Sequence, residues 1–353
     1  MTHRTPLSGP AVWTGADIKH STRWIRDFPA DGAAALDRAL AAVKAKGLDW
    51  SQIRREDFPL DGTFDSLVAD MREELEEGSG ILKLRGFPVA RWDEDDLRRI
   101  YFGFASHVGQ PRFQNRSGEL MRAIRDEGAH VGRTYGQTQD QTGGTFLSSY
   151  ARTLTNGGLR FHTDRTDVVT LLCVRQARAG GVSKLASTPA IHNLLLARRP
   201  DLLEPLFGDY WRSRFGEEGT TKETAYPLPI FGLRDGKFTS HYSLTFIEAA
   251  QMAPGVPKLS PLQQEAIEAL MAAAEELCFE MTLEPGDLQL INSHVTYHGR
   301  TPFEDDFEAG QSRLLLRLWL SMPNNRPLPA GHEVLWQSIE AGQPRGGIQQ
   351  VTL

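Results

Sequence analysis

The chain has 353 residues, of which 40% are hydrophobic and 24% charged, so we expect a globular protein with an apolar core rather than a disordered chain. A net charge of −6 without a basic run argues against nucleic acid as a partner. No segment approaches the roughly 18 to 20 apolar residues that span a bilayer, and the N-terminal residues lack a signal-peptide apolar region. We therefore expect a cytoplasmic protein without a membrane partner, with Cys173 and Cys278 as buried thiols.

Helix-spaced apolar residues with acidic first turns predict helices over residues 33–46, 63–77 and 95–106. The first two belong to a predicted N-terminal helical layer, residues 1–78. Between the last two, the sequence GILKLRGFP, which begins at Gly80, predicts a short strand that ends at a glycine and a proline.

Residues 113–158 are polar and rich in Gly, Thr and Gln, and they include GRTYGQTQDQTGGTF. A loop of this length inside a compact protein is usually either functional or disordered. We predict that this segment is an active-site lid.

The rest of the chain predicts a helix over 186–199, a strand over KFTSHYSLTFI (237–247) and a helix that begins after Ser260 and ends at Leu277. Strands follow in FEMTLEPGDLQLIN, on both sides of a Pro-Gly-Asp turn, and in SRLLLRLWLSM. Helices around many short, non-repeating strands favour an α+β protein with a β barrel or sandwich over a parallel βαβ sheet. We expect one domain over residues 1–353.

His162 and Asp164 in LRFHTDRTD are a candidate metal-binding pair. Residues i and i+2 of a strand point to one face, so both side chains can reach one ion while Thr163 points away. The tripeptide is common by chance, and a structural hydrogen-bonded pair is the alternative. Of the ten histidines, however, only His162 has an acid two residues later.

A two-histidine, one-carboxylate site needs a second histidine from elsewhere in the chain. LINSHVTYHGRTPF offers His294 and His298. We select His298, because Gly299 beside it allows the backbone to bend and expose the imidazole, and we expect His294 to be structural or to support the ligands.

The last predicted strand has two different faces. Leucines at 314, 316, 318 and 320 form one face, and Arg313, Leu315, Arg317 and Trp319 form the other. Arginines interleaved with Leu and Trp indicate guanidinium groups inside a cavity, where arginine binds carboxylates with two hydrogen bonds. The sequence therefore predicts a small anionic ligand such as a dicarboxylic acid.

In combination, these motifs resemble the taurine dioxygenase-like family of Fe(II)/2-oxoglutarate-dependent oxygenases, which includes clavaminate synthase and relatives of γ-butyrobetaine hydroxylase. The motifs occur in family order: GILKLRGFP, FHTD, GGVSKLAST, PGDLQLIN, HGRTPF and RLLLRLWLS. The resemblance covers most of the chain, from GILKLRGFP to LWLSMPNNRPLP. It implies a double-stranded β-helix (jelly-roll) core with surrounding helices.

The resemblance also implies an activity and its iron ligands, which are His162, Asp164 and His298. We expect a dioxygenase that uses Fe(II), 2-oxoglutarate and O2 to hydroxylate an unactivated C–H bond of a small molecule, with release of succinate and CO2. The carboxylate of Asp164 disfavours the halogenase variant, whereas desaturation, ring closure and cleavage stay open. Homo-oligomers are common among relatives, but no sequence feature here fixes an oligomeric state.

Three further residues correspond to positions that bind the co-substrate in the family. Arg313 matches the arginine that binds the distal carboxylate of 2-oxoglutarate, and Ser183 stands where relatives usually have a threonine that binds the same group. Arg317 matches a second arginine, which contacts either a 2-oxoglutarate carboxylate or an anionic substrate.

Two positions depart from the family pattern. Gly158 replaces an asparagine that contacts substrate in taurine dioxygenase, which argues against taurine, and Asn292 has no assignable role. We expect an anionic or zwitterionic substrate. Candidates to face it are Tyr150, Arg152, Arg160, Arg165, Arg214 and Tyr242.

Two other kinds of protein would share part of this pattern. A metal-dependent hydrolase or isomerase would use zinc or manganese to activate water and would not need Arg313. A non-catalytic ligand-binding jelly roll would keep His162 and Asp164 for structural reasons and would bind no iron.

Overall fold

Two main β-sheets with helices on their outer faces form most of the computed structural model, which describes residues 4–140, 142–217 and 224–349. The strands are β1 (Ile25–Asp27), β2 (Ile81–Arg85), β3 (Gln110–Arg112), β4 (Met121–Ile124), β5 (Gln137–Gln139), β6 (Thr145–Leu147), β7 (Leu159–His162), β8 (Val168–Arg175), β9 (Ala179–Gly180), β10 (Ser183–Ser187), β11 (Asp209–Ser213), β12 (Ala225–Pro229), β13 (Phe231–Arg234), β14 (Lys237–Ser240), β15 (Phe279–Met281), β16 (Leu288–Asn292), β17 (Thr296–Arg300), β18 (Phe303–Glu304) and β19 (Leu314–Ser321).

The α-helices are α1 (Gly15–Lys19), α2 (Gly32–Ala45), α3 (Asp65–Glu76), α4 (Glu94–Val108), α5 (Val131–Tyr135), α6 (Ser149–Thr153), α7 (Thr188–Arg198), α8 (Pro200–Leu203), α9 (Leu244–Met252), α10 (Pro261–Leu277) and α11 (Glu333–Trp336). Short 3-10 helices lie at Trp50–Gln52, Arg55–Asp57, Gly62–Phe64, Val89–Arg91 and Glu204–Phe207. Within the described ranges, no helix has the length and apolar character needed to cross a membrane.

The larger sheet has seven strands in the order β1-β2-β16-β8-β19-β3, and β4 also pairs with β19. All its pairs are antiparallel except β1 with β2. The smaller sheet is antiparallel, in the order β15-β10-β17-β7. The remaining strands form two-stranded ribbons.

Three apolar layers hold the sheets and helices together. Helices α2, α3 and α4 cover one face of the large sheet, where their leucines meet Leu84 and Leu290. Between the sheets, Val169 and Ile291 of the large sheet share a core with Leu185 of the small sheet. The far face of the small sheet packs against α7, α9 and α10. Apolar burial on both faces of each sheet therefore fixes the order of the layers.

Strand β19 follows the predicted division into two faces. Its even-numbered leucines lie in the core under the N-terminal helices, whereas Leu315 and Trp319 lie between the sheets. Because side chains alternate along a strand, Arg313 and Arg317 also point between the sheets, where they are 8% and 5% exposed. The last strand therefore brings two guanidinium groups into the interior.

Most predicted helices are confirmed within two residues, including the three N-terminal ones. The helix α10 begins as predicted, because the Ser260 side chain accepts a hydrogen bond from the Gln263 backbone and Pro261 occupies the first turn. Both cysteines are free, although Cys278 is only half-buried.

One local prediction was wrong in part. The predicted strand over 237–247 ends at Ser240, and Leu244 begins a helix, because a short run of apolar residues does not distinguish a strand from a buried helix. The predicted helix over 186–199 is confirmed as α7, which begins at Thr188 after the end of β10. The predicted strands on either side of the Pro-Gly-Asp turn are confirmed as β15 and β16, which pair in different sheets.

Residues 113–158 are more ordered than a loop. They contain β4, which pairs with β19 in the large sheet, then α5, the β5–β6 ribbon and α6. The polar composition conceals these short elements, and only β4 pairs with a distant part of the chain. Residue 141 of this segment lies outside the described residues.

A buried ionic network holds the C-terminal segment, residues 323–349, against the large sheet. Asp167 accepts hydrogen bonds from Arg345, Asn325 and Ser321 and contacts His294 at 2.9 Å. Burial would raise the pKa of Asp167, but the positive charge of Arg345 and the bond to His294 lower it well below its ordinary value. The Asp167 carboxylate is therefore ionised, and Arg345 balances its charge inside the protein.

Replacing Arg345 by alanine should lower the free energy of unfolding by about 3 to 5 kcal/mol, because a buried carboxylate loses its partner. Urea unfolding followed by tryptophan fluorescence measures the change. Arg198→Ala, which breaks an exposed pair with Glu276, is the control and should leave the unfolding curve unchanged. Equal curves for both variants would contradict a structural role for the network.

Candidate metal centre and co-substrate cavity

Three side chains that the sequence selects lie together at one end of the small sheet. His162 on β7 and His298 on β17 are direct cross-strand partners, and their ring centroids are 4.2 Å apart. Asp164 follows β7, with Oδ1 3.7 Å from His162 Nε2 and Oδ2 4.0 Å from His298 Nε2. One ligand atom from each residue lies within 4.8 Å of the other two, which is close enough to bind one metal ion.

A glycine allows the two histidine strands to approach. A Cβ atom at position 299 would lie only 2.8 Å from the carbonyl oxygen of Leu159, so a larger residue would push β7 away from β17. The pairing register also shifts between His298 and Arg300. Gly299 therefore permits the close contact on which the ligand cluster depends.

Hydrogen bonds orient two of the three side chains. His162 Nδ1 lies 2.9 Å from the carbonyl oxygen of Arg160, which assigns the proton to Nδ1 and leaves Nε2 free for a metal. The Trp319 indole donates to Asp164 Oδ2 at 2.8 Å and fixes the carboxylate. His298 Nδ1 is buried and has no hydrogen-bond partner in the described part of the chain.

Charges around the cluster favour the metal-binding forms of its residues. Burial would raise the pKa of Asp164, but the positive charge of Arg317, the two histidines and the Trp319 hydrogen bond lower it below its ordinary value. Burial, together with the charge of His162, lowers the pKa of His298 to about 3. At pH 7, Asp164 is therefore ionised and His298 is neutral, as metal ligation requires.

The cluster opens into a small cavity between the sheets. His162, His298, Ser183, Arg313 and Arg317 all line it, together with apolar side chains such as Leu171 and Leu315. We name this space the co-substrate cavity. The structure therefore places Arg317 of β19, Arg313 directly before this strand, and the serine of β10 beside the ligand cluster.

The co-substrate cavity has an excess of positive charge, because three arginines line it and only Arg317 faces an acid. Arg317 Nη1 lies 3.7 Å from Asp164, and its Nε donates to Gln114. Arg313 makes no ion pair with any described residue, and its buried Nη1 has no hydrogen-bond partner. Burial lowers the pKa of Arg313 to about 10, because water cannot stabilise its charge. A buried cation of this kind fits an anionic ligand such as a carboxylate.

Arg300 is a cavity residue that the sequence reasoning missed. It lies two residues after His298 on β17 and lines the same cavity. Burial and the charge of Arg313 lower the pKa of Arg300 to about 9. The signal was present in HGRTPF, because a residue two positions after a ligand on a strand points to the same face.

A second, larger space lies on the other side of His162. This chamber of about 620 Å³ is bounded by β7, α6 and α9, and it has an apolar wall that includes Phe161, Ile247 and Leu259. His162, Thr153 and Leu159 line both the chamber and the co-substrate cavity. The two spaces therefore meet at His162 of the ligand cluster.

Of the six side chains predicted to face substrate, two line the chamber, Arg152 and Arg160. Arg160 pairs with Glu248 across the chamber wall, with Nη2 2.6 Å from Oε2. Arg152 donates to the carbonyl oxygen of Leu147 and stacks on Phe146, and it pairs with no acid in the described residues.

Other residues that were predicted to face the substrate instead contact other parts of the protein. Arg165 and Arg214 donate to the adjacent carbonyl oxygens of Leu335 and Val334, and Tyr150 bonds Glu119. Three more residues are buried away from the chamber. Tyr242 stacks on Tyr297, His294 belongs to the Asp167 network, and Asn292 bonds Leu75.

Two histidines and one carboxylate beside a cavity with buried arginines define the class of non-haem iron oxygenases that use an anionic co-substrate. The chain belongs to the taurine catabolism dioxygenase TauD, TfdA family, whose model matches residues 43–319. It is therefore an oxidoreductase, a dioxygenase that depends on iron and 2-oxoglutarate.

Individual relatives agree with this family. FR-33289 synthase from Streptomyces rubellomurinus is 31% identical over 331 residues, which cover 92% of this chain and 93% of the relative. The structure of asparagine oxygenase with Fe(II), 2S,3S-3-hydroxyasparagine and succinate has a TM-score of 0.60 at 17% identity, over 84% of this chain and 93% of that one. The iron oxygenase OrfP with Fe and alpha-ketoglutaric acid has a TM-score of 0.59 at 16% identity, over 84% and 94%.

Replacing either cluster histidine, His162 or His298, by alanine should weaken metal binding at least tenfold, because two ligands remain where three converge. Titration of metal-free protein with Mn(II), with free Mn(II) measured by electron paramagnetic resonance, gives the affinity. His20→Ala removes an exposed histidine far from the cluster in sequence and is the control. If His298→Ala bound Mn(II) with the affinity of the wild type, His298 would not be a metal ligand.

Proposed function

We propose that His162, Asp164 and His298 are the iron ligands of a dioxygenase that hydroxylates a C–H bond of a small anionic or zwitterionic molecule. The observation that carries this proposal is the three-residue cluster beside a buried, unpaired arginine in one cavity. A hydrolase that activates water has no use for such a cation, whereas an oxygenase with a dicarboxylate co-substrate does.

We further propose that the two sheets are the halves of a jelly-roll core within a single domain, residues 1–353, and that residues 113–158 act as the lid. Face-to-face antiparallel sheets with the ligand cluster at their open end support this assignment. Within the lid segment, α6 bounds the chamber and reaches the co-substrate cavity through Thr153.

In this proposal, Arg313 and Ser183 bind the distal carboxylate of 2-oxoglutarate. The Arg313 guanidinium offers unpaired donors, and the Ser183 hydroxyl, now bonded to Gln289, can turn toward the cavity. Arg317 lies nearer the ligand cluster, so it contacts either the other carboxylate of the co-substrate or an anionic substrate.

Iron, when bound with 2-oxoglutarate and O2, supplies the oxidant for the C–H bond, with succinate and CO2 as co-products. The chain's own residues hold and shield the site. Trp319 and Arg317 keep the Asp164 carboxylate ionised and oriented, and Leu171 and Leu315 exclude water from the cavity. Positioning of the target carbon then decides which bond reacts.

The chamber is the proposed substrate site. Its apolar wall suits a carbon skeleton, and the Arg160–Glu248 pair has no net charge. Asp140 also lines the chamber, so its formal charges balance, but Arg152 makes no ion pair with a described acid. Its guanidinium should therefore attract an anionic group of the substrate. Small amino acids and related acids are reasonable first candidates, since the solved oxygenases hold hydroxyasparagine or (3S)-hydroxy-L-Arg.

Purified protein with Fe(II) and ascorbate should convert 2-oxoglutarate to succinate, faster when the right substrate is present. Arg313→Ala should raise the KM for 2-oxoglutarate at least tenfold, because a buried charge-assisted contact is lost. Succinate release measures both effects, with Arg198→Ala as a surface control. A folded, iron-loaded wild type without turnover would contradict the function, and an unchanged KM would contradict the role of Arg313.

A screen of anionic and zwitterionic acids for stimulated succinate release should identify the substrate. With the best acid, Arg152→Ala should raise the KM for that acid about tenfold and leave the KM for 2-oxoglutarate within twofold. Arg133→Ala, an exposed change in the same segment, is the control. An unaltered substrate KM in Arg152→Ala would place the anionic group elsewhere.

A further inference from the structure

Arg300 occupies a central position in the co-substrate cavity. Its neighbour across the β10–β17 pair is Ser183, and His298 lies two residues before it on the same strand. Directly paired residues of antiparallel strands share one face, so Arg300, Ser183 and His298 point into the same space. Arg300 therefore lines the same cavity as the hydroxyl proposed to bind the distal carboxylate.

The Arg300 guanidinium has one bonded edge and one free edge. Its Nη2 donates to the carbonyl oxygens of Thr155 and Gly157, at 2.7 and 2.6 Å. Its Nε and Nη1 are buried and have no hydrogen-bond partner in the described ranges. The side chain is only 6% exposed, so water does not readily satisfy these donors.

Arg300 and Arg313 both contact the aromatic ring of Phe303. Their guanidinium carbons lie 4.8 and 5.1 Å from the ring centroid of Phe303. Arg317 faces Asp164, but neither Arg300 nor Arg313 makes an ion pair with a described acid. One carboxylate has about four acceptor sites, so it can receive donors from two guanidinium groups and a hydroxyl.

The bonded edge of Arg300 reaches the lid segment. Thr155 and Gly157 are near the C-terminal end of residues 113–158, directly before β7. A ligand on the free edge of the guanidinium would fix its position, and the two backbone carbonyls would be held with it. Occupation of the cavity would therefore order the end of the lid beside His162.

We propose that Arg300 binds the distal carboxylate of 2-oxoglutarate together with Arg313 and Ser183, and that it couples this binding to the lid segment. The proposal rests on the proposed function, because it assumes that 2-oxoglutarate occupies this cavity. In this role Arg300 is both a binding residue and the link between co-substrate and lid.

Calorimetric titration of the Mn(II)-loaded full chain under nitrogen tests the contact. The probes are 2-oxoglutarate and 2-oxovalerate, which has the same chain length without the distal carboxylate. Wild type should prefer 2-oxoglutarate at least a hundredfold, and Arg300→Gln should reduce that preference at least tenfold with unchanged Mn(II) affinity. Arg178→Gln, an exposed arginine that pairs with Glu304, is the matched control.

Limited trypsin digestion of the same samples tests the link to the lid. In wild type, 2-oxoglutarate should slow cleavage within residues 113–158 at least fivefold, and in Arg300→Gln at saturating 2-oxoglutarate this protection should be lost. If Arg300→Gln does not fold, Arg300→Lys replaces it and should still lose the protection, because one ammonium group cannot reach both sites.

Each outcome points to a different conclusion. No 2-oxoglutarate binding by wild type would overturn the proposed function itself. Normal binding with an unchanged preference in Arg300→Gln would overturn the Arg300 contact alone. Equal weakening for both probes would also overturn it, because a purely structural role affects the two ligands alike, and retained protection in the variant would overturn the coupling.

Discussion

The position of β17 between β10 and β7 is the constraint on which the site depends. On one side, register places His298 opposite His162, and on the other it places Arg300 opposite Ser183. One strand thus connects the ligand cluster with the co-substrate cavity. The contact requires Gly299, because any Cβ there would collide with the neighbouring strand. A shift of register by one residue would turn each of these side chains to the opposite face.

Burying charged side chains is the main free-energy cost of this arrangement. Different parts of the fold offset that cost. Asp164 is the acid of the ligand cluster, and Arg317 and Trp319 stabilise it. Arg300 and Arg313 keep buried donors without a hydrogen-bond partner among the described residues, which favours an anion in the cavity. The apolar layers on both faces of the sheets supply the stability that permits such unmatched groups.

Much of the secondary structure was predictable from local patterns. The N-terminal helices, the cap at Ser260 and the two faces of β19 follow from spacing and residue type. Predictions failed where a run of buried residues had no clear period, as at 237–247, and where short strands pair with distant partners, as within 113–158. Those segments take their conformation from tertiary contacts rather than from their own sequence.

The sequence by itself determined the class of protein, because its motifs occur in family order and contain the histidine and carboxylate ligands. Side chains alternate along a strand, so the spacing of two also places His162 and Asp164 on one face. It did not determine which residues meet across the sheets. The sequence did select His298 as the second histidine of the cluster. Tertiary structure decided that His294 joins Asp167, that Arg300 shares the cavity, and that Arg165 faces α11 instead. The physical reason is that strand register is fixed by long-range packing, which local spacing does not record.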